Sequence, residues 1–180
     1  MRFAFASSSE ITEPIASALS SLDGFVGFIS NPDKPTGRNQ IISPNSFSKW
    51  AQNLGYSPFK PETNNDLAEY ISENNITLII TCAYGKLIPA ELLKMVSLGW
   101  LNIHFSILPA YRGAAPVQRA IINGDLKTGY SIFKMDEGLD SGPILLTEEV
   151  AIPSNMKASE LLNTLAKASS SKIVDLLKDI

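Results

Sequence analysis

The sequence predicts an α/β fold, an open, mainly parallel sheet flanked by helices. Short apolar runs alternate with helix-length amphipathic stretches from one end to the other, which is the rhythm of strand, helix and parallel strand. The run Leu78-Ile79-Ile80-Thr81 is apolar on consecutive positions rather than alternate ones, as a strand covered on both faces requires. With 180 residues, the chain fits one domain that buries most of its apolar surface in a single core without staples.

Residues 2–6 and 25–30 read as strands, with a helix over 12–22 between them. Thr12 stands where an N-cap belongs, Pro14 falls in the first turn, and Gly24 is a stop signal. Helices follow over 46–54 and 66–74, then the buried strand 77–82. Beyond it come a short helix over 89–95, a strand over 100–106 and a helix over 115–123 that turns Val117, Ala120 and Ile121 inward. Residues 127–135 and 144–152 read as strands, and 158–177 as a closing amphipathic helix.

Two stretches break this rhythm. Residues 31–44 carry Asn31-Pro32-Asp33, Lys34-Pro35 and Gly37-Arg38, turn chemistry over a length unusual inside a compact domain. Residues 138–143 are a second irregular segment. Irregular loops on a rigid sheet are where binding and catalysis concentrate.

A net charge of −3 argues against a surface that grips nucleic acid by bulk electrostatics, so any RNA contact must be a local patch. No apolar run approaches the roughly 20 residues of a membrane span, and the start of the chain reads as a strand, so the expectation is a cytoplasmic protein with no membrane association. Cys82 is the only cysteine and His104 the only histidine, so neither a disulfide nor a His/Cys zinc cage can form, and no metal is expected. Cys82 reads as a small buried hydrophobe. P-loop, G-x-G-x-x-G and G-x-S-x-G motifs are all missing.

The chemistry concentrates in Leu101-Asn102-Ile103-His104-Phe105-Ser106. Alternation puts Asn102, His104 and Ser106 on one face of a strand, with neighbours in the row about 6.5 to 7 Å apart. A polar row on a parallel strand is costly unless it lines a site, and the carboxyl end of such a strand is where open α/β sheets bind ligands. A lone histidine could equally be a core residue satisfied by a backbone carbonyl. Asn102, the Pro-bracketed loop after His104 and the Gly138-Leu139-Asp140-Ser141-Gly142-Pro143 loop favour the functional reading.

The run Asn102-Ile103-His104-Phe105-Ser106-Ile107-Leu108-Pro109-Ala110-Tyr111-Arg112-Gly113-Ala114-Ala115-Pro116-Val117-Gln118-Arg119 resembles the signature of the folate-dependent formyltransferases, in the form carried by methionyl-tRNA formyltransferases. Met135-Asp136-Glu137-Gly138-Leu139-Asp140-Ser141-Gly142-Pro143-Ile144-Leu145 is similar to the second half of that signature. Asn31-Pro32-Asp33-Lys34-Pro35-Thr36-Gly37-Arg38 and Ala83-Tyr84-Gly85 are similar to further family stretches.

The resemblance implies the formyltransferase fold, a Rossmann-like sheet flanked by helices, over residues 1–180 as one catalytic domain, without the family's C-terminal β-rich domain. It implies 10-formyltetrahydrofolate as formyl donor, tetrahydrofolate as product and initiator methionyl-tRNA as acceptor. It makes Asn102, His104 and Asp140 catalytic, places the folate against Ser106, Ile107, Leu108 and Pro109, and brings Lys34 and Arg38 to the tRNA. Tyr84 stands open between a wall for the pterin ring and a packed aromatic. A partner chain in place of the missing domain is a further implication.

Two departures stand out. Ser7-Ser8-Ser9 replaces the family's Gly-Thr-Pro turn, and Asn39-Gln40-Ile41 stands where a basic pair follows Gly37-Arg38. Both weigh on the tRNA reading more than on the chemistry. The alternatives are a nucleotide-linked amino sugar or glycinamide ribonucleotide as acceptor, or a non-catalytic folate- or RNA-binding module.

Overall fold

A computed structural model describes residues 1–180. Its main sheet has six strands in the order β2 (Phe25–Ile29), β1 (Phe3–Ala6), β5 (Leu78–Thr81), β6 (Gly99–His104), β7 (Lys127–Lys134) and β8 (Ile144–Ala151). The first three pairings in this order are parallel and the last two antiparallel. Two reversals cancel, so β8 again runs with β6, and β7 alone points the other way. The open, mainly parallel sheet is as the sequence predicts.

Successive side chains leave a strand on opposite faces. On β1, Phe3 and Phe5 therefore enter one core cluster while Ala4 and Ala6 enter another. The first cluster joins Leu78, Ile80, Leu101 and Ile103 of the sheet to α1 (Glu13–Ser20), α2 (Ser46–Asn53), α5 (Pro116–Ile122) and α6 (Ala158–Lys178). On the reverse face, Ile79 and Trp100 lie beneath α3 (Asn64–Glu73) and α4 (Ala90–Met95). The buried Trp100 indole N–H donates to the Leu92 carbonyl at 3.0 Å, so its burial leaves no donor unmet. No helix is long and apolar enough to cross a membrane.

Three local readings change. Residues 10–12 form a 3-10 turn ahead of α1, and the Thr12 hydroxyl is spent inside it, donating to the Ser9 carbonyl at 2.8 Å rather than capping the helix. Residues 31–44 are not irregular throughout: β3 (Lys34–Thr36) and β4 (Ile41–Ser43) pair antiparallel as a separate ribbon. Its stems are tied to the body by Asn45 Nδ2, which donates to Ser30 Oγ at 2.9 Å and to the Asn31 carbonyl at 3.3 Å, and by the Asp33–Lys60 ion pair at 2.5 Å. The strand expected over 100–106 ends at His104, so the polar row loses its third member.

Candidate active site

The side chains of β6 reach their places through neighbouring strands and loops. The Thr81 hydroxyl on β5 donates to Asn102 Oδ1 at 2.8 Å. That fixes the amide and leaves its NH₂ group free for a ligand. His104 is the last residue of β6, and its Nε2 lies 3.0 Å from the Tyr111 carbonyl. A carbonyl only accepts, so Nε2 carries the proton there. The nitrogen left for chemistry is Nδ1, 3.6 Å from Asp140 Oδ2, longer than a hydrogen bond.

The carbonyl that holds His104 is itself anchored. Tyr111 sits in a left-handed backbone conformation at φ 55°, its hydroxyl donates to Asp125 at 2.6 Å, and the Arg119 guanidinium lies 5.2 Å from its ring centre. The hydrogen bond from Tyr111 lowers the Asp125 pKa, and the same bond raises that of Tyr111.

Asp140 arrives on the loop between β7 and β8. Its Oδ2 accepts the Gly113 N–H at 2.7 Å, and its φ of 48° is one that aspartate tolerates better than most residues. Asp136 Oδ1 closes the loop by accepting from the Gly138 N–H at 3.0 Å and the Ser141 hydroxyl at 2.8 Å. Gly142 lies against β7 so closely that an added Cβ would sit 1.8 Å from the Lys134 carbonyl oxygen. No other residue fits without moving the loop that carries Asp140.

These groups line one cavity of about 560 Å³, within the range of small-molecule sites, and over half of its lining residues are apolar. Asn102, His104, Asp140 and Tyr84 all belong to its wall. Residues 106–109 do not. Ser106 is fully buried, its hydroxyl donates to the Ala110 carbonyl at 2.5 Å, and the Leu108 N–H donates to the Ser131 hydroxyl at 3.0 Å. Ser106, Ile107 and Leu108 thus lie against β7, while Pro109 is exposed. Lys34 and Arg38 lie on the exposed β3–β4 ribbon, outside the cavity.

Other wall residues carried no signal strong enough to single them out in the sequence. Lys86, Leu87, Met135 and Leu139 line the cavity, and Lys86 is the only lysine or arginine among the lining residues. The pointer to the first two was positional: they follow the buried strand β5 at its carboxyl end, where such sheets hold ligands. Cys82 is buried as expected, and burial pushes its thiol pKa up. No three His, Cys, Asp or Glu side chains converge on a shared point that could hold a metal.

Tyr84 meets the cavity beside Ala83 and Gly85, both in left-handed backbone conformations. Its ring is buried, its hydroxyl meets no protein partner, and burial pushes the phenol pKa up to about 12. An unmet buried hydroxyl is a standing cost of about 1 to 3 kcal/mol. Tyr84→Phe is therefore expected to raise thermal stability by about 1 kcal/mol in calorimetry; a lower melting temperature would reveal a partner for the hydroxyl.

A sequence family described as "Formyl transferase" matches residues 1–177. The chain is 41% identical over 86% of its length to a methionyl-tRNA formyltransferase of Kosmotoga olearia, covering 50% of that protein. It is 37% identical over 99% of its length to one of Deinococcus radiodurans, covering 57% of it. The chain thus spans about half the length of the curated relatives it matches. Among solved structures, it is similar to a phosphoribosylglycinamide formyltransferase from Streptococcus pneumoniae, with a TM-score of 0.77 and 20% identity over 99% of this chain and 97% of that one. A 4-N formyltransferase from Francisella tularensis gives a TM-score of 0.72 at 22% identity, over 99% of this chain and 69% of that one. At such identities these likenesses speak to the fold.

Proposed function

The chain belongs to the formyl transferase family, and from that premise we propose that residues 1–180 form the catalytic domain of an enzyme that moves a formyl group from 10-formyltetrahydrofolate to the amino group of initiator methionyl-tRNA. The observation that carries this reading is the convergence of Asn102, His104 and Asp140 on one largely apolar cavity. A flat ring system with a tail suits such a wall, and Lys86 offers the tail's carboxylates a cation.

In the reaction, the acceptor amine attacks the formyl carbon, and negative charge develops on the formyl oxygen. The free NH₂ of Asn102 stabilises that charge, an effect worth about 3 to 4 kcal/mol for one well-placed donor. His104, held by Tyr111 through Nε2, turns Nδ1 to the same cavity, where a proton on it would meet the same charge. Asp140, its Oδ2 3.6 Å from that nitrogen, collects the amine proton, directly or through a water, as the carbon–nitrogen bond to the donor breaks and the donor nitrogen takes up a proton. The apolar walls lower the local dielectric and so strengthen each of these contacts.

Relatives named as methionyl-tRNA formyltransferases support tRNA as the acceptor. So does the ribbon, whose Lys34 and Arg38 are exposed and pair with no carboxylate, beside exposed Ile41 and Ile42. A ribonucleotide acceptor would bring a phosphate instead. Glu10 and Glu13 in the turns beside cavity residues Ser9 and Ile11 disfavour one at that end.

The deciding assay offers the protein 10-formyltetrahydrofolate with charged initiator tRNA, an amino-sugar nucleotide or glycinamide ribonucleotide. Formylated methionyl-tRNA is the expected product, and exclusive formylation of either rival would reassign the acceptor. Arg38→Ala should weaken tRNA binding and reduce the slope of log affinity against log salt by about one, leaving folate affinity unchanged. Identical slopes for the two proteins would remove Arg38 from the tRNA contact.

A further inference from the structure

Three distant segments of the chain meet at one backbone atom, the carbonyl oxygen of Tyr84. Asn31 Nδ2 donates to it at 2.7 Å and the Ser8 hydroxyl at 3.0 Å. The second hydrogen of Asn31 Nδ2 goes to Ser8 Oγ, also at 2.7 Å. One residue earlier, the Ala83 carbonyl accepts from the Ser8 N–H at 3.1 Å. Every donor in this triangle is used once, and the carbonyl's two lone pairs are both filled.

The loop so gripped needs holding. Ala83 stands at φ 49° and Gly85 at φ 69°, and an alanine keeps a left-handed backbone only where its surroundings enforce it. Ala83, Tyr84, Gly85, Lys86 and Leu87 together make one wall of the cavity. Asn31 is fixed from its other side, where its carbonyl accepts from Asn45 Nδ2 at 3.3 Å at the stem of the β3–β4 ribbon.

We infer that Asn31 is a positioning residue for donor binding: through the Tyr84 carbonyl it holds residues 83–87 in the shape that receives the ring system of the folate. It does not line the cavity and makes no hydrogen bond to Asn102, His104 or Asp140. The Ser7-Ser8-Ser9 turn has a part in the same device, since Ser8 supplies the second grip. The inference rests on the reading that this cavity takes the folate donor.

The test titrates tetrahydrofolate into wild type, Asn31→Ala and Asn31→Asp by calorimetry, with melting curves and the donor KM and kcat of each. Asn31→Ala should bind about tenfold more weakly, the equivalent of about 1.4 kcal/mol, with kcat at saturating donor retained and the melting temperature little changed. Asn31→Asp keeps the size of the side chain but has no hydrogen to give a carbonyl, so it should bind no better than Asn31→Ala. Recovery of wild-type affinity by Asn31→Asp, or a fall in kcat with an unchanged donor KM, would overturn the assignment. Wild-type binding with equal affinity in all three proteins sinks the inference alone. Failure of wild type itself to bind tetrahydrofolate sinks the donor reading and the inference with it.

Discussion

His104→Ala is expected to lower kcat by about 10² to 10⁴, the range spanned by a positioned acid or base. Nδ1 is the only imidazole nitrogen left free by the Tyr111 carbonyl, and no other histidine exists to take its place. The side chain is nearly buried, so removing it also strands that carbonyl, and a modest loss of stability should accompany the kinetic effect. Asp140→Asn provides the control against a folding artefact. It keeps the shape and can still accept the Gly113 N–H, yet it cannot take a proton, and it should lose most of its turnover with a native melting curve. Full activity in a folded Asp140→Asn would remove the carboxylate from the reaction; collapse of the fold in both variants would make the pair structural.

Asn102→Ala is expected to cost about 10² to 10³ in kcat, as loss of one oxyanion donor typically does. The structural disturbance should be small, because the Thr81 hydroxyl that loses its acceptor has the Leu101 carbonyl within 3.3 Å as a second one. Affinity for the folate should hardly move, since the amide acts on charge that exists only in the transition state. A rise in KM with kcat intact would mean that Asn102 binds the ground state and stabilises no oxyanion.

Most of the sheet was legible because its strands obey two simple rules, continuous apolar runs in the middle and alternation at the rim. β5 and β6 were found this way, with ends displaced by a residue or two. The β3–β4 ribbon was not, because Pro35 and Gly37 read as turn signals and three-residue strands leave no period to detect. Thr12 illustrates a capping signal overridden by tertiary structure: its hydroxyl found the Ser9 carbonyl and Ser7 before it could serve the helix.

The candidate site was legible at its chemical centre and not along its walls. Asn102 and His104 share one strand face, which a sequence shows directly. Asp140 lies 36 residues beyond His104 on another loop; the irregular, glycine-bracketed setting marks the loop, the resemblance of residues 135–145 to the family signature marks the aspartate, and Gly142's contact with Lys134 explains the second glycine. The alternation that puts Ser106 in the polar row of Asn102 and His104 runs two residues too far; past His104 the backbone turns, and the hydroxyl goes to its own loop. Leu87 comes from the connection after β5, and Met135 and Leu139 from the one between β7 and β8; their meeting is a property of the fold, not of any local pattern.

The ribbon's attachment has a consequence for how the chain can vary in length. Both strands of the ribbon leave from stems fixed by Asn45, Ser30, Asn31 and the Asp33–Lys60 pair, while the residues at its tip, Gly37 to Gln40, touch nothing in the sheet's core. Residues inserted at that tip would pay mainly loop-closure entropy, about 0.6 kcal/mol for each doubling of loop length. The ribbon can therefore be lengthened, shortened or exchanged for another sequence without repacking the sheet or the cavity, whose lining includes none of its residues.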